Sequence, residues 1–252
     1  MMAYELVYKR PSAIPERAIS GFCPGCLHSA ACKLIAEVID EMDLKENTTY
    51  VKDIGCCALT TPYLVLDNIG SLHGRACAVA TAVKRCDPGQ LVISYQGDGA
   101  LASIGLAETM SAANRGENFT VIFINNCIYG MTGGQMAPTT LVGTKTTTSP
   151  YGRDPKEHGY PLHMSEIIST LKAPAFVARV TATDPANIRK AKAAVRKAFE
   201  YQMAGKGFTF VEFISNCPTN WSMTPEKSLA HIKDTILPEF PLGVFKDLET
   251  EA

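Results

Sequence analysis

A doubly wound α/β domain on a mostly parallel sheet is the architecture this sequence predicts, and three observations point to it. Short apolar runs rich in β-branched and aromatic residues alternate with stretches of helical period. Two of those runs end in small polar groups, Gly97-Asp98-Gly99 and Asn125-Asn126, where a parallel sheet carries its working residues. No repeat or composition break divides the 252 residues, which is long for one domain but within range.

Taken in order, residues 30–42 read as a helix with Ala31, Leu34, Ile35, Val38 and Met42 on one side. Residues 49–54 (TYVKDI) read as a strand running into Gly55-Cys56-Cys57, and 76–84 as a helix. Residues 91–95 (LVISY) are a buried parallel strand. Residues 100–115 follow as a helix with Ile104, Ala107, Met110 and Ala112 inward, and 119–124 (FTVIFI) as a second buried strand. Asp98 and Asn126 stand 28 positions apart, room for one strand–helix–strand excursion that brings the second side chain back to the first. Asp184-Pro185 caps a helix whose face runs through Ile188, Ala191, Val195, Ala198, Phe199 and Gln202 to Gly205. Residues 208–214 (FTFVEFI) form a further strand, leading to Cys217-Pro218. A single domain over 1–252 is expected, with an extended arm at about 1–20 broken by Pro11 and Pro15. A tail at about 221–252 carries Pro225, Pro238 and Pro241 and is expected to wrap the domain or a neighbour.

Apolar residues make up 46% and charged residues 19%, so a sizeable core can form. The formal charge of −1, with no basic block, argues against a nucleic-acid partner. No apolar stretch approaches ~18 residues, so no membrane span is expected. The first twenty residues lack the apolar core of a secretory signal, which leaves the cytoplasm as the expected location.

Nine cysteines, a high and odd number, favour metal or redox work over a disulfide framework. Cys23-Pro24-Gly25-Cys26 admits three readings: half a zinc site, a thioredoxin-like dithiol, or two ligands of an iron–sulfur cluster. The missing strand before it counts against the dithiol. A metal site needs two further ligands, and Cys56 and Cys217 each follow a strand end. Cys32 and Cys77 fall among helical apolar residues and read as buried structural thiols; Cys86 and Cys127 have no evident partner. At the other polar group, the oxygens of Asp98 and Asn126 beside a helix amino terminus suit a hard divalent cation carrying a diphosphate.

Gly97-Asp98-Gly99 followed by Asn125-Asn126 resembles the diphosphate motif of thiamine diphosphate enzymes. The resemblance implies Mg²⁺ held by Asp98, Asn126 and the carbonyl of Ile128. Together with Cys23-Pro24-Gly25-Cys26, Gly55-Cys56, His73-Gly74-Arg75, the turn from Tyr129 to Gln135 (YGMTGGQ), Pro138-Thr139 and Cys217-Pro218, the chain resembles the β subunit of the 2-oxoacid:ferredoxin oxidoreductases along most of its length. What this implies is a fold of the thiamine diphosphate-binding type and a [4Fe-4S] cluster on Cys23, Cys26, Cys56 and Cys217. The cofactor is expected among Cys56, Cys57, His73, Gly97, Asp98, Gly99, Ala100, Asn126, Ile128, Tyr129, Gly130, Met131 and Thr132. Leu27, Cys57 and Ala100 depart from the family's usual glycine, serine and acidic residue, and the Cys56-Cys57 doublet leaves the third ligand open between the two.

The implied reaction is oxidative decarboxylation of a 2-oxoacid, with coenzyme A taking the acyl group and ferredoxin the electrons. The turn at 129–135 leans toward 2-oxoglutarate or a branched-chain 2-oxoacid such as 2-oxoisovalerate. His73 and Arg75 are the candidate catalytic residues. His73 faces the diphosphate or substrate or caps a helix, and Arg75 holds a substrate carboxylate or a structural one. Met131 and Gly133 lie where the family reads the substrate side chain, and His28 supports the cysteine turn. Residues 139–161, rich in turn formers, read as an active-site loop, a subunit arm or an ordinary surface loop. The carboxylate that activates thiamine is expected from an α chain, within a complex that also holds a γ and, in some members, a ferredoxin-like δ subunit. Two alternatives stand beside this reading: the diphosphate-binding subunit of a split non-oxidative thiamine decarboxylase, and a zinc-stabilised binding module on the same four cysteines.

Overall fold

The computed structural model describes residues 8–250; positions 1–7 of the expected arm and 251–252 of the expected tail lie outside the described residues. A seven-stranded sheet runs β1 (Thr48–Lys52), β2 (Asp67–Gly70), β3 (Leu91–Gly97), β4 (Thr120–Asn125), β5 (Phe176–Thr181), β6 (Thr209–Ile214) and β7 (Gly243–Asp247). Its spatial order is β2-β1-β3-β4-β6-β5-β7. All neighbours are parallel except β7, which pairs antiparallel with β5. Four of the strands, β3, β4, β5 and β6, are buried over almost every residue, as a sheet covered on both faces demands.

Successive strand residues point to opposite faces and feed two cores. One face places Tyr50, Ile93, Ile122 and Val211 against helix α1 (His28–Glu41) and the long helix α6 (Pro185–Met203). The other places Val51, Val92, Val121 and Phe210 against α2 (Ala76–Cys86), α3 (Leu106–Arg115) and α5 (Met164–Ser169). A four-residue helix, α4 (Pro155–His158), lies in the loop between β4 and α5. The domain is doubly wound.

Four parts of the chain differ from the sequence reading. The helix expected over 100–115 is interrupted: a π-helical segment at Ala100–Ile104 ends at Gly105, and regular α3 begins afterwards. Crowding explains the break. A Cβ on Gly105 would stand 2.5 Å from the carbonyl oxygen of Gly74, so the backbones of the 74 and 105 turns touch. β2 and β5 went unanticipated. Residues 221–252 do more than wrap. They carry α7 (Pro225–His231), a short helical turn α8 (Leu237–Glu239) and the edge strand β7. Pro225 starts α7 because Thr224 caps it, its side chain accepting from the Lys227 amide at 3.3 Å.

The chain order reverses between β1 and β3, since the chain leaves β1 toward β2 on one side and later returns to β3 on the other. Crevices outside strand carboxyl ends at such a reversal are where open α/β sheets bind ligands.

Candidate active site

A cavity of about 430 Å³ opens at that reversal, between the ends of β1, β3 and β4. Its wall includes Cys56, Cys57, His73, Gly97, Asp98, Gly99, Ala100, Asn126, Ile128, Tyr129, Gly130, Met131 and Thr132, the whole set assigned to the cofactor from the sequence. His28, Ile54, Gly55 and Gln135 complete it.

Asp98 is buried where β3 gives way to helix. Its Oδ1 accepts from the Gly99 amide at 2.8 Å, and its Oδ2 from the Ile128 amide at 3.1 Å and the Thr139 hydroxyl at 2.8 Å. The Oδ1 of Asn126 accepts from that same Ile128 amide at 3.4 Å. Carboxylate and carboxamide therefore converge on one N–H. The turn that brings Ile128 back passes through Cys127 at φ 57°, steadied by a bond from its amide to Asn125 Oδ1 at 3.2 Å. Among the described residues no lysine, arginine or histidine pairs with Asp98, and burial pushes its carboxyl up to about 7 against the opposing bonds from Thr139, Gly99 and Ile128. A buried set of hard oxygens lacking a counter-charge fits a divalent cation. Gly99 is required by close approach: a Cβ there would lie 2.2 Å from the Tyr129 ring, whose hydroxyl donates to the Gly99 carbonyl at 2.8 Å.

The cysteines gather on the adjoining wall. A Cβ on Gly130 would lie 3.3 Å from Cys56 Sγ, 3.5 Å from Cys217 Sγ and 3.8 Å from Asn126 Nδ2, so one glycine backbone spans both chemistries. Burial pushes the Cys26 thiol up to about 12, with further upward pressure from Cys217, Cys56 and Cys23. Cys56 rises to about 11 by burial first, then by Cys217 and Cys23. The four thiols thus share one neighbourhood, and Cys56 rather than Cys57 is the doublet member beside Cys217. Their donor set suits a soft or iron-containing centre. Among the described residues, no three His, Cys, Asp or Glu side chains close in as the compact cage of a single ion. The Cys23–Cys26 turn is pinned to the end of β6 by Asn216, whose Nδ2 donates to the Gly25 carbonyl at 3.0 Å and whose Oδ1 accepts from the Leu27 amide at 2.9 Å. Cys32 and Cys77 are buried elsewhere, beside Tyr95 and between Ser94 and Thr109.

His73 and Arg75 part company. His73 lines the cavity, with its Nδ1 3.2 Å from Oδ1 of the fully buried Asp53. Arg75 lies outside it, pairing with Glu108 at 2.5 Å and donating to the Ile104 carbonyl at 3.0 Å, which makes its carboxylate partner a structural one. His28 is stacked on Phe22 and bonded through Nδ1 to the Tyr95 hydroxyl at 2.8 Å, and burial lowers it to about 4, so it is a neutral wall. Sequence reasoning missed Asp53, which also accepts from the Gly74 amide at 2.9 Å and so sets the 73–75 turn. It missed Asn216 and Asn220 too. An acidic residue directly after β1, two positions before Gly55-Cys56, was the available signal for Asp53.

This is the site of a thiamine-type α/β domain, and residues 53–213 match the model of the thiamine pyrophosphate enzyme C-terminal TPP-binding domain. Over 91% of its length the chain is 49% identical to ketoisovalerate oxidoreductase subunit VorA of Methanothermobacter marburgensis, covering 48% of that protein. It is 35% identical to 2-oxoglutarate synthase subunit KorB of Methanocaldococcus jannaschii, covering 98% of this chain and 86% of that one. The chain belongs to the 2-oxoacid:ferredoxin oxidoreductase family, as a β-type subunit. It spans about half the length of the VorA relatives it matches. The fold is shared with a solved 2-oxoglutarate:ferredoxin oxidoreductase from Magnetococcus marinus bound to 2-oxoglutarate, coenzyme A and succinyl-CoA. That likeness has a TM-score of 0.78 at 23% identity, over 97% of this chain and 87% of that one.

Proposed function

We propose that this chain is the thiamine diphosphate-binding β subunit of a 2-oxoacid:ferredoxin oxidoreductase. In the cytoplasm, with α and γ partners and in the four-chain form a ferredoxin-like δ subunit, it converts a 2-oxoacid and coenzyme A to acyl-CoA and CO₂ while reducing two ferredoxins by one electron each. The observation that carries this reading is the double role of the 126–130 turn: one end meets the Asp98 carboxylate, the other the sulfurs of Cys56 and Cys217.

In this reading Asp98, Asn126 and the Ile128 carbonyl hold Mg²⁺ against the diphosphate, and Cys23, Cys26, Cys56 and Cys217 hold a [4Fe-4S] cluster. When bound, the two groups supply an electron sink for the decarboxylated carbon and a one-electron acceptor beside it. The chain's own residues do the rest. The Thr139 hydroxyl orients the Asp98 carboxylate, and Tyr129 clamps Gly99 over the helix entrance. Asp53 fixes the His73 ring at the cavity wall, where its free nitrogen serves as a polar contact for substrate. Ile54, Leu72, Ile104 and Met131, all exposed around the cavity mouth and the adjoining 72–74 turn, form an apolar rim that favours a covering partner subunit.

The substrate reading is a branched-chain 2-oxoacid such as 2-oxoisovalerate. The cavity wall contains no lysine or arginine among the described residues, and Met131 stands at its mouth. A second substrate carboxylate, as in 2-oxoglutarate, finds no cationic side chain on this wall. The test is a 2-oxoacid panel on the anaerobically co-expressed complex with ferredoxin and coenzyme A. A kcat/KM at least about tenfold higher for 2-oxoisovalerate than for 2-oxoglutarate is expected, the discrimination of a pocket contact worth ~1.4 kcal/mol. A colourless complex lacking iron, or full turnover by this chain alone, would refute the reading.

A further inference from the structure

Asn220 belongs to neither ligand set, yet it bonds one of the cysteines and the turn that follows Asn126 and Ile128. Its Nδ2 donates to the Gly130 carbonyl at 2.8 Å and to Cys217 Sγ at 3.2 Å. The two neighbours are both acceptors, so the amide orientation follows from the chemistry: a carboxamide oxygen turned toward them would meet only lone pairs. Its Oδ1 lies on the other side, 3.1 Å from where a Cβ on Gly134 would stand, and Gly134 itself has φ 85°, a conformation that favours glycine. The turn that Asn220 supports closes on itself through Tyr129 N to Gln135 O at 3.0 Å and Gly134 N to Tyr129 O at 2.9 Å. One amide group, with two hydrogens, thus ties a cysteine sulfur to the loop over the cofactor cavity.

We infer that Asn220 is a positioning residue that sets the reduction potential of the cluster bound through Cys217 while holding that sulfur in register with the cofactor loop. The inference rests on the cluster assignment proposed above. Reduction adds one electron, and part of the added charge spreads onto the cysteine sulfurs. A fixed N–H aimed at one of them stabilises the reduced state more than the oxidised one and raises the potential. Removing the donor lowers it.

The experiment compares wild type, Asn220→Ala, Asn220→Asp and Thr219→Ala in the anaerobically purified complex with its partner subunits. Iron is quantified first, and the cluster is then titrated with dithionite and mediators under EPR. In Asn220→Ala the equilibrium constant for reduction is expected to fall about three- to tenfold, a shift of about −30 to −59 mV at ~59 mV per tenfold for one electron. Asn220→Asp is nearly isosteric and replaces the donor by a negative oxygen, so it should fall further; it carries the test if Asn220→Ala sheds iron. Thr219→Ala, one residue away, should stay within about twofold of wild type. Unchanged potentials in both Asn220 variants at full iron content overturn the role of Asn220 and leave the proposed function standing, as does a Thr219→Ala shift of equal size. Wild-type complex without four irons per chain overturns both.

Discussion

Two buried carboxylates in the same sheet are treated in opposite ways. Glu212, in the middle of β6, receives the guanidinium of the equally buried Arg179 from the neighbouring strand at 2.9 Å, the Ser165 hydroxyl at 2.5 Å and the Asn125 amide at 2.8 Å. Arg179 in turn pairs with Glu166. Every charge there has its counter-charge within the chain. Asp98, at the end of β3, receives only N–H and O–H donors. The first arrangement is closed by a cation of the chain; the second, among the described residues, is not. Asn125 joins the two: one end of its amide anchors to Glu212, the other steadies the turn that carries Asn126 and Ile128 to Asp98. A closed polar network thus fixes the strand ends that carry Asn126 and Ile128 to Asp98.

The contrast breaks most visibly at Arg179. Arg179→Met leaves Glu212 buried without a cation and should cost about 3–5 kcal/mol in urea unfolding, with much of the loss restored by adding Glu212→Gln. A loss below ~1 kcal/mol would mean that the network is incidental. Asp98→Asn should do the reverse, lowering Mg²⁺-dependent thiamine diphosphate affinity by about 100-fold or more, beyond what losing a supporting contact does, while the unfolding midpoint hardly moves. Equal damage to stability would erase the distinction.

A pH profile sharpens the same point. The Asp98 carboxyl is held up near 7 by burial, so below that pH a cation must displace a proton. Mg²⁺ affinity should rise about tenfold per pH unit up to about 7 and level off above it. In linkage terms the raised carboxyl contributes stability that is fully present below its unfolded value near 3.8 and is lost as the pH rises through about 7. Added Mg²⁺ should therefore raise the thermal midpoint at pH 8 and leave it unchanged at pH 4. The smallest effect is expected from Thr139→Val, which removes one donor from Asp98 Oδ2 and should weaken cofactor binding roughly tenfold.

Much of this was legible before any coordinates. The 91–95 and 119–124 runs are apolar because both their faces are covered, and small polar residues directly after them mark the open strand ends. Asp184-Pro185 announced α6, and its Oδ1 indeed accepts from the Ala186 and Asn187 amides at 3.0 Å. β5 escaped notice because Arg179 sits at its centre; a buried cation reads as an exposed one until its partners on β6 and α5 are known. β2 escaped because Asp67–Gly70 is an exposed edge with little strand propensity of its own, held by pairing with β1. Residues 139–161 read from the sequence as an active-site loop, a subunit arm or an ordinary surface loop, with nothing local to choose among them. Their organiser is Arg153, buried and donating to the carbonyls of Pro138, Thr140, His158, Gly159 and Tyr160, and the loop it shapes delivers Thr139 to Asp98. Asp53 and Asn220 matter through what folds back onto them, which no local pattern encodes.

The central claim, that the Asp98 and Asn126 edge is completed by a cation carrying a diphosphate, is tested most directly by calorimetric titration of the metal-stripped complex with thiamine diphosphate, with and without Mg²⁺. Saturable binding of one cofactor per chain that requires Mg²⁺ is the expected result. Binding of the same strength in the presence of a chelator would contradict it.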